Sequence, residues 1–421
     1  MSALPPDDIL SVKLARMSAT TDDSTAPDPA SAKTAERRAL GVACGAHALH
    51  DGYTDLVYVM LSIWQGEFGL GFAALGLMRT VFSGTLAGLQ IPAGFVAERF
   101  GAATVLALGT ALAGLGYIFA GLSSGVAGLV VALFIGGLGA STQHPLASSL
   151  IAHAFAGTRS LKALGTYNFA GDIGKMIFPA AAALMLIVLP WRQAVMILGA
   201  LGAVAALAIF VAMPRFSDAQ VSSRKDDHAQ RTTGAVRPFA FPLLLSVGVI
   251  DSATRMAFLT FLPFVLTAKG ASVQIVGLAL TLVFVGGAMG KLVCAFIGAR
   301  IGAVATVRLT ETVTALSIVS LLPLSLGPAL MLLPVVGIAL NGTSSVLYGS
   351  VPDLVEPAWR QRAFSIFYTG TIGVGAVSPA IYGLLGDAIG IPAALTVIAA
   401  VVLVTLPITL VLRPALTARA S

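Results

Sequence analysis

Acidic and imidazole side chains recur along one face of an apolar segment near the start of the chain. His47, Asp51 and Asp55 are four residues apart, and His50 and Thr54 lie beside them. At 3.6 residues per turn, this spacing places the side chains on one stripe of a helix. A carboxyl group in apolar surroundings must be paired, protonated or in contact with water. Asp51 and Asp55 are therefore candidate proton-coupling groups, or else carboxylates that hold the helix in place through hydrogen bonds.

A histidine and a charged pair follow in later apolar segments. His144 precedes Pro145, a residue that leaves a backbone carbonyl without its helical partner. The imidazole titrates near neutral pH, so it can relay protons or bind an anion, or it can simply bond to that carbonyl. Asp172 and Lys175 are three residues apart and can neutralise each other on a helix. Alternatively, Lys175 binds an anionic substrate.

The second half of the chain carries its own charges within apolar segments. Asp251 and Arg255 are four residues apart and can form a local pair. Lys291 and Glu311 fall in two neighbouring segments, and we expect them to pair with each other as a structural contact.

A metal site is another interpretation of the same residues. His47, His50, Asp51, Asp55 and His144 supply imidazole and carboxylate ligands that suit a divalent transition metal. One helix presents only some of them in a single direction, and the sequence contains no tight ligand spacing. Metal-ion transport therefore stays an alternative, and no resident metal or other cofactor is expected.

The composition places these residues in a membrane protein. Of the 421 residues, 57% are hydrophobic and only 10% are charged, with a mean hydropathy of +0.91. Ordinary soluble domains carry roughly 25% charged residues, so a soluble enzyme is excluded. The net charge is +6, but the basic residues fall in short loops between apolar runs, which argues against a nucleic-acid partner.

The apolar runs divide into twelve segments that are long enough to cross a bilayer, which takes about 20 residues each. Residues 39–213 contain six of them, residues 239–421 contain the other six, and 214–238 is a polar cytoplasmic linker. Residues 1–38 are polar and are predicted to form a disordered cytoplasmic tail. The predicted spans are 39–63, 72–96, 102–122, 126–153, 163–188, 192–213, 240–267, 273–297, 303–326, 328–354, 363–385 and 391–412.

The Lys and Arg residues orient the chain, because they concentrate in the cytoplasmic loops of membrane proteins. With the N-terminus inside, Arg192 and Lys269 are the only two of the 25 that fall in outer loops. The sequence therefore predicts a multi-pass protein with both termini in the cytoplasm.

The two halves of the chain are also alike. Shifted by 200 residues, Asp51 falls on Asp251 and Gly137 falls on Gly337. Two related six-helix units in one chain are typical of secondary transporters, whose substrate site lies near the bilayer midplane. A membrane enzyme has no need of this duplication, so we expect a transporter and not an enzyme.

The loop after the second predicted span carries a family resemblance. Residues 94–101 (GFVAERFG) are similar to the G-x-x-x-D-R-x-G motif of the major facilitator superfamily, with Glu98 and Arg99 at its charged positions, and Arg300 with Gly302 repeats part of it. The resemblance implies an all-α integral membrane fold of twelve transmembrane helices in two pseudo-symmetric six-helix bundles. It also implies a monomer that works by alternating access.

Within the superfamily, the sequence resembles the fosmidomycin-resistance group of bacterial exporters. Residues 47–53 (HALHDGY) are similar to that group's H-x-x-N-D-x-Y, although His50 replaces the usual Asn. Residues 137–145 (GLGASTQHP) are similar to its G-x-G-S-S-x-F-H-P. The resemblance implies a drug exporter of the bacterial cytoplasmic (inner) membrane that works as a proton antiporter.

In the superfamily's arrangement, the first and seventh helices face each other. Asp55 and Arg255 would then form an ion pair that closes the outer gate, unless Arg255 pairs with Asp251, and Arg79 is expected to neutralise Asp55. The candidate residues are Asp51, Asp55 and His144 for proton coupling; His47, His50, Tyr53, Asp172, Lys175, Asp251 and Arg255 for substrate binding; and Arg79, Glu98, Arg99, Arg300, Asp353 and Arg362 for gating.

The sequence thus predicts a proton-coupled secondary transporter that exports a small polar or amphiphilic molecule, such as a fosmidomycin-like drug or a metabolite. Its expected partners are that molecule, protons and the lipid bilayer, and the proton gradient is its energy source. A proton-driven importer of an organic anion, or a transporter of a divalent metal or metal chelate, stays open as an alternative.

Overall fold

The computed structural model describes residues 29–155, 158–214, 239–356 and 359–417. These residues form α-helices joined by short loops, with no strand in the described ranges, so the all-α fold class is confirmed. The predicted tail up to residue 28 and the predicted linker from residue 215 lie outside the described residues.

Eight helices make up the first half of the chain, and two of its six crossings consist of two consecutive helices. Helix α1 begins at Pro29, so residues 29–38, which the sequence assigns to the tail, are helical. The helices are α1 (Pro29–Phe68), α2 (Phe72–Gly88), α3 (Gln90–Phe100), α4 (Ala102–Leu122), α5 (Val126–Ala140), α6 (Gln143–Ala154), α7 (Thr158–Met185) and α8 (Trp191–Ala212).

Seven helices form the six crossings of the second half, the last of which is made of two. A single 3-10 turn (Val351–Asp353) follows the fourth of these helices. The helices are α9 (Ala240–Ala268), α10 (Val273–Ile301), α11 (Ala303–Leu321), α12 (Leu326–Ser350), α13 (Arg360–Ile389), α14 (Ile391–Leu403) and α15 (Thr405–Thr417).

Nine helical segments of the described chain are long and apolar enough to cross a membrane, or ten if the bent pair α2 and α3 is one span. The two crossings outside this set are α1 and α7. Helix α1 carries His47, Asp51 and Asp55, and α7 carries Asp172 and Lys175, and these side chains lower the mean hydropathy of the two helices. The twelve-helix architecture therefore includes two spans that are polar because of the site.

Proline explains where three of the crossings are broken. Its ring collides with the carbonyl group four residues earlier and it has no N–H to donate. Pro92 lies four residues after Gly88, the last residue of α2, and the axes of α2 and α3 differ by 44°. Pro145 lies five residues after the end of α5, and Pro407 lies four residues after the end of α14. Five other prolines lie inside continuous helices, so a proline permits a break in a crossing but does not by itself predict one.

The buried apolar residues form one shared cluster and two separate ones. The shared cluster joins residues of both halves, such as Leu75 and Phe261. Each of the others belongs to one half, with Ala43 and Leu146 in the first and Leu244 in the second. The halves therefore pack together at one end and separate at the end where α1 begins and α15 ends. That end is the cytoplasmic end of the predicted topology and is hereafter called the inner end.

Small residues let the two halves touch at the outer end. Gly76 of α2 lies directly against the backbone carbonyl of Pro379 in α13, so a larger residue at this position would collide with it. In the same way, Gly277 of α10 packs on Ala183 of α7. Two helix pairs, α2 with α13 and α7 with α10, thus close the outer half of the interface between the bundles.

An acidic side chain strengthens the contact between α2 and α13. The backbone N–H groups of Phe72 and Ala73 donate to the two carboxylate oxygens of Asp387, at 2.7 and 2.9 Å. The first N–H groups of a helix have no partner within it, and the residue before α2 is Gly71, which has no side chain to cap them. Asp387 of one bundle therefore caps a helix of the other.

Candidate functional site

The region between the two bundles toward the inner end, where their apolar clusters are separate, is hereafter called the vestibule. Three basic side chains line it: His144 of α6, Lys175 of α7 and Lys291 of α10, with 37, 33 and 40% of their side-chain surface exposed. Since Lys291 belongs to the second bundle and the other two to the first, the vestibule is built by both halves.

Asp51 of α1 lies at the deep end of the vestibule. Its Oδ2 atom is 3.3 Å from Nζ of Lys175 and 3.3 Å from Nε2 of His47, and its Oδ1 atom is 3.8 Å from Nε2 of His144. Helix α7 can approach this closely because Gly171 faces α1: a Cβ atom there would lie 2.6 Å from Asp51 Oδ2. One carboxylate, with only 10% of its side chain exposed, is thus shared by an ammonium group and two imidazoles.

The hydrogen bonds of His47 fix its tautomer. Its Nδ1 atom lies 2.8 Å from the backbone carbonyl oxygen of Tyr167, and a carbonyl can only accept, so Nδ1 carries a proton. The other nitrogen, Nε2, is buried and has no hydrogen-bond partner. A neutral His47 therefore turns a lone pair toward the carboxylate of Asp51. Either a proton on Nε2 or a cation shared with the carboxylate makes this contact attractive.

Asp172 of α7 joins the two bundles. Its carboxylate oxygens accept hydrogen bonds from Nζ of Lys291 at 2.7 and 2.6 Å, and one of them lies 4.0 Å from Nζ of Lys175. The expected pair between Lys291 and Glu311 is therefore wrong, because the lysine reaches across the bundle interface and not to its own bundle. Asp51, Lys175, Asp172 and Lys291 form a continuous chain of alternating charge, hereafter the charge network.

Asp55 belongs to a second, fully buried group on the outer side of the charge network. Its Oδ1 atom lies 4.0 Å from Nη2 of Arg79, as expected from the sequence. The same guanidinium donates to the hydroxyl of Tyr58 at 3.0 Å and stacks on its ring, 4.4 Å from the centroid. Arg79 has no exposed surface, so Asp55 and Tyr58 compensate a charge that is removed from solvent.

Two residues that the sequence assigns to substrate binding lie in the core of the first bundle. Nε2 of His50 bonds to the hydroxyl of Thr110 at 2.9 Å, and that hydroxyl donates onward to the carbonyl of Leu106. The hydroxyl of Tyr53 donates to the carbonyl of Leu198 at 2.7 Å. Both side chains are almost completely buried and fasten α1 to its neighbours α4 and α8.

The second bundle contributes a small cavity of about 10 Å³ beside α9, lined by Asp251, Arg255, Tyr348 and five other polar or apolar residues and a glycine. Among the described residues, no carboxylate comes within ion-pair distance of Arg255, so neither of its two expected pairs is formed. The buried carboxyl group of Asp251 instead lies beside the buried carboxyl group of Glu311 of α11. Arg255 is thus a cation that faces a cavity.

The remaining candidate gating residues lie at the inner ends of the helices. Glu98 and Arg99 at the end of α3, Arg300 near the end of α10, and Asp353 and Arg362 around the loop after α12 are all exposed. Arg300 stacks on Phe296 and Arg362 on Trp359, each within its own bundle. Neither of these two stacking contacts joins the bundles.

The sequence interpretation missed two features of the bundle interface, the pair of Asp172 with Lys291 and the cap that Asp387 provides. The need for the cap that Asp387 provides could have been detected in the sequence. Helix α2 starts after glycines and has no acidic residue in its first turn, so its free N–H groups need a partner from elsewhere in the chain.

The family follows from comparison with known proteins. The model of the Major Facilitator Superfamily matches residues 43–250 and 244–420. The chain belongs to the major facilitator superfamily. This membership fits the twelve crossings, the two bundles and the vestibule between them.

Three bacterial proteins named as transporters or as a resistance protein are distantly similar to the chain. The chain is 25% identical to the probable sulfoacetate transporter SauU of Cupriavidus necator over 380 residues, which cover 83% of this chain and 87% of that protein. It is 23% identical to the fosmidomycin resistance protein of Escherichia coli over 364 residues, which cover 83% and 86%. A third match, 25% identical, is the probable L-galactonate transporter of Escherichia coli, covering 55% of this chain and 54% of that protein.

Solved structures share the fold. A bacterial homologue of the human lysosomal transporter Spinster, in an inward-facing and occupied conformation, superposes with a TM-score of 0.76 at 14% identity, covering 89% of this chain and 96% of that one. The nucleoside transporter NupG superposes with a TM-score of 0.66 at 16% identity, covering 91% and 98%. At these identities the likeness is one of fold.

Proposed function

We propose that this chain transports a small organic anion together with a proton. The observation that carries the proposal is the position of Lys175, whose ammonium lies 3.3 Å from Asp51 and 4.0 Å from Asp172 while a third of its side chain faces the vestibule. A cation held by two carboxylates can exchange one of them for the carboxylate, sulfonate or phosphonate of a substrate.

The basic side chains of the vestibule favour an anion over a neutral or cationic substrate. Lys175 and Lys291 are both partly exposed, and Arg255 faces the neighbouring cavity without an acidic partner at ion-pair distance among the described residues. The acidic groups Asp51 and Asp172 are the more buried members of the network, with 10% of each side chain exposed. A ligand entering from the inner end therefore meets ammonium groups first. Sulfoacetate and galactonate, which name two of the relatives, are small organic anions.

The proton enters this scheme through Asp51. When Asp51 is ionised it holds Lys175, and when Asp51 is protonated it releases the ammonium group for the substrate. Proton binding and anion binding then favour each other, and by linkage the effect is reciprocal. Two ligands with this mutual preference travel in the same direction, so the scheme is symport.

The substrate also competes with Asp172 for Lys291, and this competition links binding to the movement of the bundles. The pair of Asp172 with Lys291 joins α7 to α10 near the middle of the membrane. An anion that takes over Lys291 weakens this link, and the two bundles can then change their relative position. Alternating access requires such a difference in affinity between the two conformations.

Proton-driven export is a second candidate function, favoured by the similarity to the fosmidomycin resistance protein. Export by exchange reverses the relation between the two ligands, because proton and substrate must then compete for the transporter. The phosphonate of fosmidomycin would still bind to Lys175 and Lys291. The two candidates therefore share a binding site and differ in the sign of the coupling.

Transport by purified protein in liposomes separates these possibilities. Labelled sulfoacetate, galactonate and fosmidomycin are offered in turn while the external medium is acidic. Symport predicts accumulation that a protonophore abolishes, whereas exchange predicts that the same gradient expels substrate from loaded vesicles. The direction of substrate movement relative to the proton gradient does not depend on which way the protein is inserted. Symport moves the substrate with the protons, and exchange moves it against them, in both orientations.

A matched pair of variants tests the role of Lys175. Lys175→Gln should abolish transport, because it removes the group that responds to both proton and substrate. Lys162→Gln removes an exposed lysine of the same helix, outside the network, and should transport at the wild-type rate. Equal activity of Lys175→Gln and Lys162→Gln, or failure of all three anions to move, would overturn the proposal.

A further inference from the structure

The two histidines beside Asp51 have the composition and spacing of a metal site. His47 and Asp51 of α1 and His144 of α6 each place one donor atom within 4.8 Å of the other two. Two imidazoles and one carboxylate are ligands that zinc, cobalt and nickel accept, with at least one position left for water. His50 and Asp55, which the sequence added to the same candidate set, lie outside this group because they bond to Thr110 and Arg79.

The environment of the two ring nitrogens of His47 is an independent observation that points to a bound ligand. Its Nε2 atom is buried, has no hydrogen-bond partner and is aimed at Asp51, whereas its Nδ1–H is fixed on the carbonyl of Tyr167. This is the arrangement of a metal-binding histidine, in which the nitrogen away from the metal donates to a carbonyl and thereby sets the tautomer and the ring orientation. The ring also stacks on Tyr167 with centroids 3.9 Å apart, so it is held in place before any ion binds.

The distances between the donor atoms suit a small ion. Zinc bonds of about 2.0–2.1 Å in tetrahedral geometry separate neighbouring donors by ~3.3 Å. Nε2 of His47 lies 3.3 Å from Asp51 Oδ2, and Nε2 of His144 lies 3.8 Å from Asp51 Oδ1. Since His144 is 37% exposed in the vestibule, a small rotation of its side chain completes the set and leaves a path for the ion.

From this geometry we propose that His47, Asp51 and His144 bind one divalent transition-metal ion of the zinc type, which enters from the inner end. The ion takes the carboxylate that Lys175 otherwise contacts at 3.3 Å, and the lysine turns to Asp172, 4.0 Å away. Metal and ammonium thus compete for Asp51. Binding needs no transported substrate and stands apart from the proposed anion transport, although an ion here would block the proton site of that scheme.

Direct binding of cobalt to the purified full-length protein tests the site. Cobalt reports its ligands through its visible spectrum, and zinc can then be added to displace it. The expected result is one ion per chain, with a spectrum of low coordination number that zinc removes. His144→Gln should weaken binding by at least about tenfold, as the loss of a ligand does. His153→Gln, which changes another histidine of α6 outside the cluster, should leave binding unchanged.

A variant at Lys175 distinguishes a metal site from weak binding to any histidine. Lys175→Gln removes the competing positive charge and should tighten cobalt binding by about tenfold, in the direction that Coulomb repulsion requires. The same substitution is expected to abolish anion transport, so the two proposals fail separately. Cobalt binding that is absent in the wild type, unaffected by His144→Gln or weakened by Lys175→Gln would overturn the metal site.

Discussion

The ammonium group of Lys291 donates to both carboxylate oxygens of Asp172, at 2.7 and 2.6 Å, across the interface between the two six-helix bundles. Gly277 and Gly76 also pack against the opposite bundle, and both contacts lie further toward the outer end than this ion pair. The candidate site and the interface between the bundles therefore share a residue pair.

A single substitution in this pair should lower both stability and transport, whereas the double substitution should restore stability alone. Lys291→Met leaves the carboxylate of Asp172 with only Lys175 and should lower both the unfolding temperature and the transport rate. The double variant Asp172→Asn/Lys291→Met leaves no orphan charge, so its stability should return to the wild-type level. Its transport should stay at least about tenfold reduced, a loss of ~1.4 kcal/mol, because the substrate's cation is gone.

Thermal unfolding in detergent and uptake into liposomes measure the two effects of that pair. Lys162→Met serves as the control for loss of a lysine. If the double variant recovered transport as well as stability, the pair of Asp172 with Lys291 would be a structural contact only.

The buried guanidinium of Arg79 should contribute strongly to the stability of the protein. Arg79→Met leaves Asp55 buried without its cationic partner, and breaking a buried pair costs about 3–5 kcal/mol. The double variant Arg79→Met/Asp55→Asn removes both charges and should regain most of the lost stability. Thermal unfolding of the purified variants measures this difference. Equal destabilisation by the single and double variants would show that the packing of Arg79 on Tyr58, not its charge, is what matters.

The cap that Asp387 forms on α2 should hold the outer end closed. Asp387→Asn keeps the shape of the side chain, but its amide has one oxygen and one NH2 group, so one of the two bonds to Phe72 and Ala73 is lost and the other is weakened by the loss of charge. The variant should shift the population toward an outward-open conformation.

Distances between spin labels at the outer end detect this shift. Ser124 and Ser325 are exposed residues in corresponding outer loops of the two halves, and cysteines can be placed there once Cys44 and Cys294 are replaced. A second, longer distance should gain population in Asp387→Asn. An unchanged distribution would mean that the contacts of Gly76 alone keep the outer end shut.

Much of the fold can be predicted from the sequence, since apolar runs and their breaks depend on local properties. The twelve crossings follow from segment length, and the chemistry of proline permits the breaks near Pro92, Pro145 and Pro407. The first predicted span is shorter than α1 because the polar residues from Pro29 onward form a helix beyond the apolar stretch.

The site was predictable only where it lies on one helix. The stripe of His47 and Asp51 follows from a spacing of four residues, and these side chains do meet. The partner of Lys291 could not be deduced, because the choice between Asp172 and Glu311 depends on how two bundles pack. The same limit applies to Arg255. Its spacing of four residues from Asp251 suggests an ion pair, but the two charged groups line one cavity without coming within ion-pair distance.

The affinity for substrate as a function of pH tests the central claim that a proton on Asp51 releases Lys175 for an anion. The measurement is titration calorimetry with whichever anion is transported, on the wild type, on Asp51→Asn and on Glu36→Gln, a control carboxylate near the inner end of the same helix. The wild type and Glu36→Gln should bind more weakly as the pH rises, because ionised Asp51 then competes for Lys175. Asp51→Asn imitates the protonated state and should bind tightly at every pH. Tight binding by the wild type that does not change with pH, or an Asp51→Asn variant that still loses affinity as the pH rises, would contradict the account.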